Sequence, residues 1–170
     1  MNIAYLCDIL RKELLENGYE YGFLLNGEKV KPDFTAGFDR EYDRLARTAY
    51  RVQSPALTRS EKIGTCIETV LVMKELLDQQ CVPNKIWLLF QPEKGKAHTV
   101  LTFQAEGKTV YLELTPQSAK PWYGRELVYD SEETFQQAYY QKGFEIIDVT
   151  EQIEIGQPPR FLLERLNKRK

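Results

Sequence analysis

Two side chains in this sequence are of types that do covalent chemistry near neutral pH, and each stands in a setting that would help it. Cys66 lies in the stretch Gly64-Thr65-Cys66-Ile67-Glu68-Thr69-Val70. Thr65 followed three residues later by Glu68 is a capping box, which makes Thr65 the expected N-cap and Cys66 the first helical residue. The unpaired N–H groups and the dipole at that end favour negative charge, so a thiolate there is more accessible, although Glu68 on the same turn partly opposes this. A small buried thiol at a helix start is the plainer account of the same residue. His98 is the only histidine in the chain. If Glu106-Gly107 is a two-residue turn, Ala105 faces Lys108, Val100 faces Glu113 and His98 faces Thr115. His98 and Glu113 then share a face as diagonal neighbours, with Cα atoms about 7–8 Å apart. A carboxylate in that place can fix the orientation of the imidazole and stabilise its protonated form. A three-residue turn would carry Glu113 to the opposite face. Taken singly, His98 is an ordinary strand residue and Glu113 a solvent-facing acid. Val110-Tyr111-Leu112 before Glu113 and Leu114 after it point instead to a buried strand, where a carboxylate needs a partner.

The elements that must hold these residues follow from periodicity. In the Cys66 helix, Val70, Met73 and Leu77 fall on the cysteine's face, with Ile67, Leu71 and Leu76 widening the apolar side. Gln79-Gln80-Cys81-Val82-Pro83 ends it, because Pro83 disfavours helical geometry in the residue before it. Lys85 to Phe90 is apolar almost throughout, as for a strand covered on both faces. His98 to Ala105 and Lys108 to Thr115 read as a hairpin. Upstream, Asn2 to Glu16 has a helical stripe of Ile3, Leu6, Leu10 and Leu14, stopped by Asn17-Gly18. Tyr19 to Leu25 reads as extended, Asn26-Gly27 as a turn, and Lys29 to Gly37 as loop. Phe38 to Tyr50 is helical by spacing, and Pro55 to Ile63 is expected to be a polar connector. Downstream, Asp130-Ser131 begins a helix that Gly143 stops, Phe144 to Val149 is a strand, and Pro158 to Leu166 is a terminal helix with a basic end at Asn167 to Lys170.

Composition narrows the function classes. The 170 residues suit a single domain with one substantial core. A net charge of −2 gives no electrostatic footprint for nucleic acid. The three cysteines, Cys7, Cys66 and Cys81, are widely spaced with no C-x-x-C pair, so neither a disulfide framework nor a zinc site is expected. Cys7 and Cys81 are read as structural thiols. No apolar run approaches the roughly 20 residues that span a bilayer, and the first residues lack a secretory pattern. A cytoplasmic protein without cofactor or metal, and without a membrane partner, is the expectation.

Gly64-Thr65-Cys66 opening an apolar helix, a short exit into a hydrophobic strand, His98 beginning the next strand, and Leu112-Glu113-Leu114-Thr115-Pro116 closing the one after together resemble the transglutaminase-like core. That core is the circularly permuted relative of the papain-type cysteine peptidases. The resemblance covers about residues 63–116 within a single domain of 1–170. It implies an α+β fold, with N-terminal helices and the Cys66 helix packed against an antiparallel sheet that holds His98 and Glu113. It implies Cys66 as nucleophile, His98 as base and then acid, and Glu113 as the orienting acid, where the family commonly has aspartate. The chemistry implied is acyl transfer on a peptide or related amide, by hydrolysis or transamidation. The backbone N–H of Cys66 would face the oxyanion, and Gln53 is the candidate side-chain donor beside it. Two other readings stand next to this one: an inactive domain of the same fold that binds a protein partner, and an amidase or acyltransferase for small molecules with the same three residues.

Overall fold

Helix α1 (Ile3–Leu14) starts where Asn2 Oδ1 accepts the Tyr5 N–H, and it buries Leu6, Cys7, Leu10 and Leu14 on one stripe. The computed structural model describes residues 2–33, 35 and 37–168. The extended stretch after α1 is two short strands rather than one, β1 (Glu20–Tyr21) and β2 (Phe23–Leu25), followed by β3 (Glu28–Val30). Gly22 separates the first two with a φ of 149°, and a Cβ there would come within 2.3 Å of the Val30 carbonyl oxygen. Asn26-Gly27 makes the tight turn of the β2–β3 hairpin, both residues having positive φ. The expected loop over residues 29–37 therefore begins inside a strand; its positions 34 and 36 lie outside the described residues.

Helix α2 (Arg40–Thr48) is capped by Asp39. The expected connector at 55–63 is instead a helix, α3 (Pro55–Glu61), followed by β4 (Ile63–Gly64). The local chemistry explains the correction: Ser54 caps the helix by accepting the Leu57 N–H, and Pro55 occupies its first turn, where a missing N–H costs nothing. Helix α4 (Cys66–Gln79) then leads through Val82-Pro83 into β5 (Asn84–Gln91), β6 (Lys96–Ala105), β7 (Lys108–Leu112) and β8 (Glu126–Tyr129). Helix α5 (Glu132–Tyr140), β9 (Glu145–Asp148) and α6 (Arg160–Asn167) complete the order. Of the expected basic end, positions 169 and 170 lie outside the described residues.

The main sheet has the order β8-β7-β6-β5-β9, antiparallel throughout. The Cys66 helix packs against it, so the architecture is α+β with a cysteine-bearing helix on an antiparallel sheet. Alternation sorts the two faces. Ile86, Leu88, Phe90, Leu101, Phe103, Val110 and Leu112 join α1 and α4 in a largely aliphatic core. Trp87, Leu89, Val100 and Tyr111 face the other way, onto Phe135 and Tyr139 of α5, in a smaller aromatic one. Strand β8 leaves no clear signal in the sequence because it is a four-residue edge strand with no fully buried position. Among the described residues, no helix is long and apolar enough to cross a membrane, and no cluster of three or more His, Cys, Asp or Glu is placed to hold a metal ion.

Candidate active site

The start of α4 is built as the sequence requires. Thr65 Oγ1 accepts the Ile67 N–H at 3.1 Å, and Glu68 Oε1 accepts the Thr65 N–H at 2.8 Å. Cys66, half-buried, is the first residue of the helix, so its own N–H has no intrahelical acceptor. Just upstream, Tyr21 of β1 pairs in parallel with Gly64 of β4, which ties the N-terminal segment to the approach of the nucleophile candidate. Gly64 is required by packing: a Cβ there would meet the Glu68 Cβ at 2.7 Å.

Glu68 is fully buried and collects four donors: the Tyr50 O–H, the Gln53 N–H at 3.0 Å, and the Thr65 N–H and O–H. Burial raises its pKa, and these hydrogen bonds offset that only in part. The arrangement also settles where Gln53 goes. Its Oε1 accepts the Leu24 N–H at 2.8 Å, while Nε2 donates to the Ile63 carbonyl at 3.0 Å and to Thr58 Oγ1 at 3.3 Å. Both amide protons are engaged away from Cys66, so Gln53 is a clamp between β2, α3 and β4 and has no N–H for an oxyanion. The expectation failed because a sequence shows an amide on a connector but not the orphan carbonyl that claims it.

The other two expected residues meet. Glu106 and Gly107 are the two turn residues, both with positive φ, and Ala105 faces Lys108. That is the register that puts His98 and Glu113 on one face. His98 is the third residue of β6, and Glu113 follows the last residue of β7. His98 Nε2 is hydrogen-bonded to Glu113 Oε1, with Glu113 only 2 % exposed. Glu113 also accepts the Tyr111 O–H at 3.0 Å and the Thr115 N–H at 3.3 Å, and the Trp122 indole N–H reaches the Tyr111 oxygen at 3.4 Å. Tyr111 was legible in principle, since it lies two residues before Glu113 on the same face of the strand; Trp122, in the loop beyond, was not.

Cys66 is the second group that acts on the imidazole. Burial pushes the His98 pKa down, but hydrogen bonds to Cys66 and Glu113 and the charges of both outweigh it, and the imidazole is raised from 6.5 to about 9. With Nε2 taken by Glu113, Nδ1 is the ring nitrogen left for the thiol. On Glu113 burial pushes upward, and the hydrogen bond and charge of His98 reverse it, so the carboxyl lies below its ordinary range. The three groups meet where α4 and β6 begin and β7 ends. Cys66 opens on a cleft of about 250 Å³, lined by Tyr21 and Tyr42, by Ala46, Ile67 and Ala97, and by Leu162, Leu163 and Leu166 of α6. Cys7 is buried and Cys81 exposed, and all three cysteines are free.

No protein-family model matches this chain, and no curated protein does. Among solved structures it is similar to Legionella pneumophila LapG, with 12 % identity, a TM-score of 0.49, and coverage of 99 % of this chain and 80 % of that one. An EGTA-treated form of LapG gives 14 % identity and a TM-score of 0.43, over 97 % of this chain and 80 % of its own. At this distance the likeness assigns no chemistry, and the reading of the site rests on its own geometry.

Proposed function

We propose that this chain is a transglutaminase-like cysteine hydrolase or acyltransferase that acts on a peptide or related amide. Cys66 is the nucleophile, His98 the base and then the acid, and Glu113 the acid that orients it. The observation that carries the reading is that one imidazole is shared: His98 is bonded to Glu113 through Nε2, and Cys66 and Glu113 both act on its proton. An imidazole with a raised pKa holds its proton at neutral pH, as a thiolate–imidazolium pair requires.

In the first half-reaction the Cys66 sulfur bonds to the amide carbonyl carbon. The C–N bond breaks as His98 gives its proton to the departing amine, leaving a thioester on Cys66. In the second, water or another amine adds to the thioester carbonyl, His98 takes the incoming proton, and the C–S bond breaks to return Cys66. Whether the acceptor is water or an amine decides between hydrolysis and transamidation, since both share the same thioester.

The test uses a small activated ester, 4-nitrophenyl acetate. Intact-mass spectrometry with peptide mapping should find acetyl on Cys66 of the wild-type chain. His98→Ala should acetylate roughly 100-fold more slowly, at the lower end of the usual loss for a general acid–base group. Absence of acetyl-Cys66 from the folded wild-type protein would remove the enzymatic reading and leave a binding module.

A further inference from the structure

A thioester-forming step passes through a tetrahedral adduct whose oxygen carries negative charge, and the N–H of Cys66 supplies one donor to it. With Gln53 engaged elsewhere, the side-chain donor has to come from another residue at the cleft. Three phenols line it, and Tyr50 is committed to Glu68, which leaves Tyr21 and Tyr42. Tyr21 and Tyr42 line the same cleft as Cys66, and their rings are 6.3 Å apart. Both are half-buried.

Tyr21 is the better placed of the two. Its backbone is held in β1 by the parallel pairing with β4: the Glu20 N–H bonds to the Lys62 carbonyl at 2.9 Å, and the Gly22 N–H bonds to the Gly64 carbonyl at 3.1 Å. That fixes Tyr21 directly opposite Gly64, two residues before Cys66. Its side chain also lines two hollows next to the cleft, one formed with Thr115, Pro116, Gln117 and Ser118, the other with Phe38 and Tyr42. Tyr42 comes from α2 and braces it through the tilted contact of the two rings.

We propose that Tyr21 is a catalytic residue that donates its phenol O–H to the oxyanion formed on the acyl carbon attached to Cys66, with Tyr42, whose ring packs against it, as the positioning residue. The proposal rests on the reading of Cys66 as an acyl-transfer nucleophile. No proton leaves Tyr21 in the step. It gives a hydrogen bond while charge sits on the substrate oxygen and withdraws it when the carbonyl re-forms. A donor of this kind must stay protonated throughout. Burial first, and then the charge of Cys66, hold the Tyr21 phenol well above its ordinary pKa. The same two causes, in the same order, raise Tyr42.

Two reagents separate this role from a general effect on the thiol. Acetylation by 4-nitrophenyl acetate passes through an oxyanion, whereas alkylation by iodoacetamide is a displacement at carbon and does not. Tyr21→Phe should slow acetylation of Cys66 roughly 10- to 100-fold, at or below the usual loss of one oxyanion donor because the ester has a good leaving group. Its alkylation rate should stay within about twofold of wild type. Tyr42→Leu, which removes the packed ring, should lose about two- to fivefold in acetylation, again with alkylation unchanged; this second variant keeps the test alive if Tyr21→Phe folds poorly by thermal melting. Equal acetylation rates in wild type and Tyr21→Phe would overturn the proposal. So would a parallel loss in both reactions, which would make Tyr21 a residue that tunes the thiol. A wild-type protein that alkylates at Cys66 but never acetylates would overturn the acyl-transfer reading and this proposal with it.

Discussion

Glu68 and Glu113 are carboxylates sealed from solvent at 0 % and 2 % exposure, yet burial leads to opposite results at the two places. Around Glu68 every donor is neutral: a phenol, two backbone N–H groups and a threonine hydroxyl. Burial wins, and the pKa is raised. Around Glu113 burial also pushes upward, but His98 can carry a charge, and it brings the pKa down. Four neutral donors make Glu68 a knot that joins the 50–53 segment to the cap of α4. A partner that can carry positive charge makes Glu113 half of an ion pair with His98. In this molecule a buried acid is read by what its partners can become, more than by how deeply it lies.

The comparison breaks most visibly at Glu113. Glu113→Gln keeps the size and removes the charge that would stabilise an imidazolium. The corresponding Asp-to-Asn change in a serine-protease triad costs about four orders of magnitude in turnover. A thiol needs less help to ionise, so roughly a 10- to 1000-fold loss of Cys66 acetylation and amide turnover is expected here. Glu113→Asp should be milder, since aspartate is common at this place in the family the core resembles. Unchanged thiol reactivity in Glu113→Gln across about pH 5 to 9 would separate Glu113 from Cys66 altogether.

Glu68→Gln should do the reverse. The amide offers an N–H where one of the four donors needs an acceptor, so a buried backbone N–H is left without a partner, at a cost of about 1–3 kcal/mol. The expected signature is a lower Tm with acetylation of the folded protein within a few-fold of wild type. A variant as stable as wild type but inactive would move Glu68 into the reacting site and erase the contrast.

The pH dependence of stability sharpens the same distinction. His98 has its folded pKa raised to about 9 from 6.5, so its contribution is complete below about 6.5 and is lost as pH rises through about 9. Glu113 has its pKa lowered, so its contribution holds above the ordinary carboxylate range and is lost only as pH falls through the lowered value. The Tm gap between wild type and Glu113→Gln should therefore be widest near about pH 6 and narrow beyond about pH 9. A gap that widens on the alkaline side would contradict the ion pair.

The smallest effect concerns the other thiols. Cys7 is buried, and burial, with a smaller push from Glu126, raises its pKa to about 11. Cys81 is exposed at the exit of α4, without the field of a helix start. Brief, limited iodoacetamide treatment should label Cys66 first, Cys81 next and Cys7 last in a peptide map. Labelling of Cys81 ahead of Cys66 would mean that neither the helix start nor His98 activates the candidate nucleophile.

Much of this site is legible in the sequence because its signals are local. Thr65 and Glu68 are three residues apart, and Glu106-Gly107 is a turn dipeptide whose length alone decides which face Glu113 takes. The stop signals at Gly18 and Gly143 are local in the same way, and both residues have positive φ. What stays hidden depends on contacts between distant segments. The two-residue strands β1 and β4 have no period to detect, and only their pairing carries Tyr21 to the nucleophile candidate. Glu68 reads as half of a capping box, and nothing in the sequence says that Tyr50 and Gln53 close over it. Gln53 looks available because the Ile63 carbonyl and the Leu24 N–H that occupy it lie ten and 29 residues away.

The central claim is that Cys66, His98 and Glu113 form one electrostatic unit, and the chain allows a direct measurement of it. Because His98 is the only histidine, a nitrogen-detected NMR titration of the imidazole reports that ring and no other. The wild-type ring should titrate at about 9, and it should fall back toward 6.5 in Glu113→Gln and again in Cys66→Ala. A ring that titrates near 6.5 in the wild type, unmoved by either substitution, would mean that the three residues are not coupled, and the proposed chemistry would have no imidazolium to pair with a thiolate.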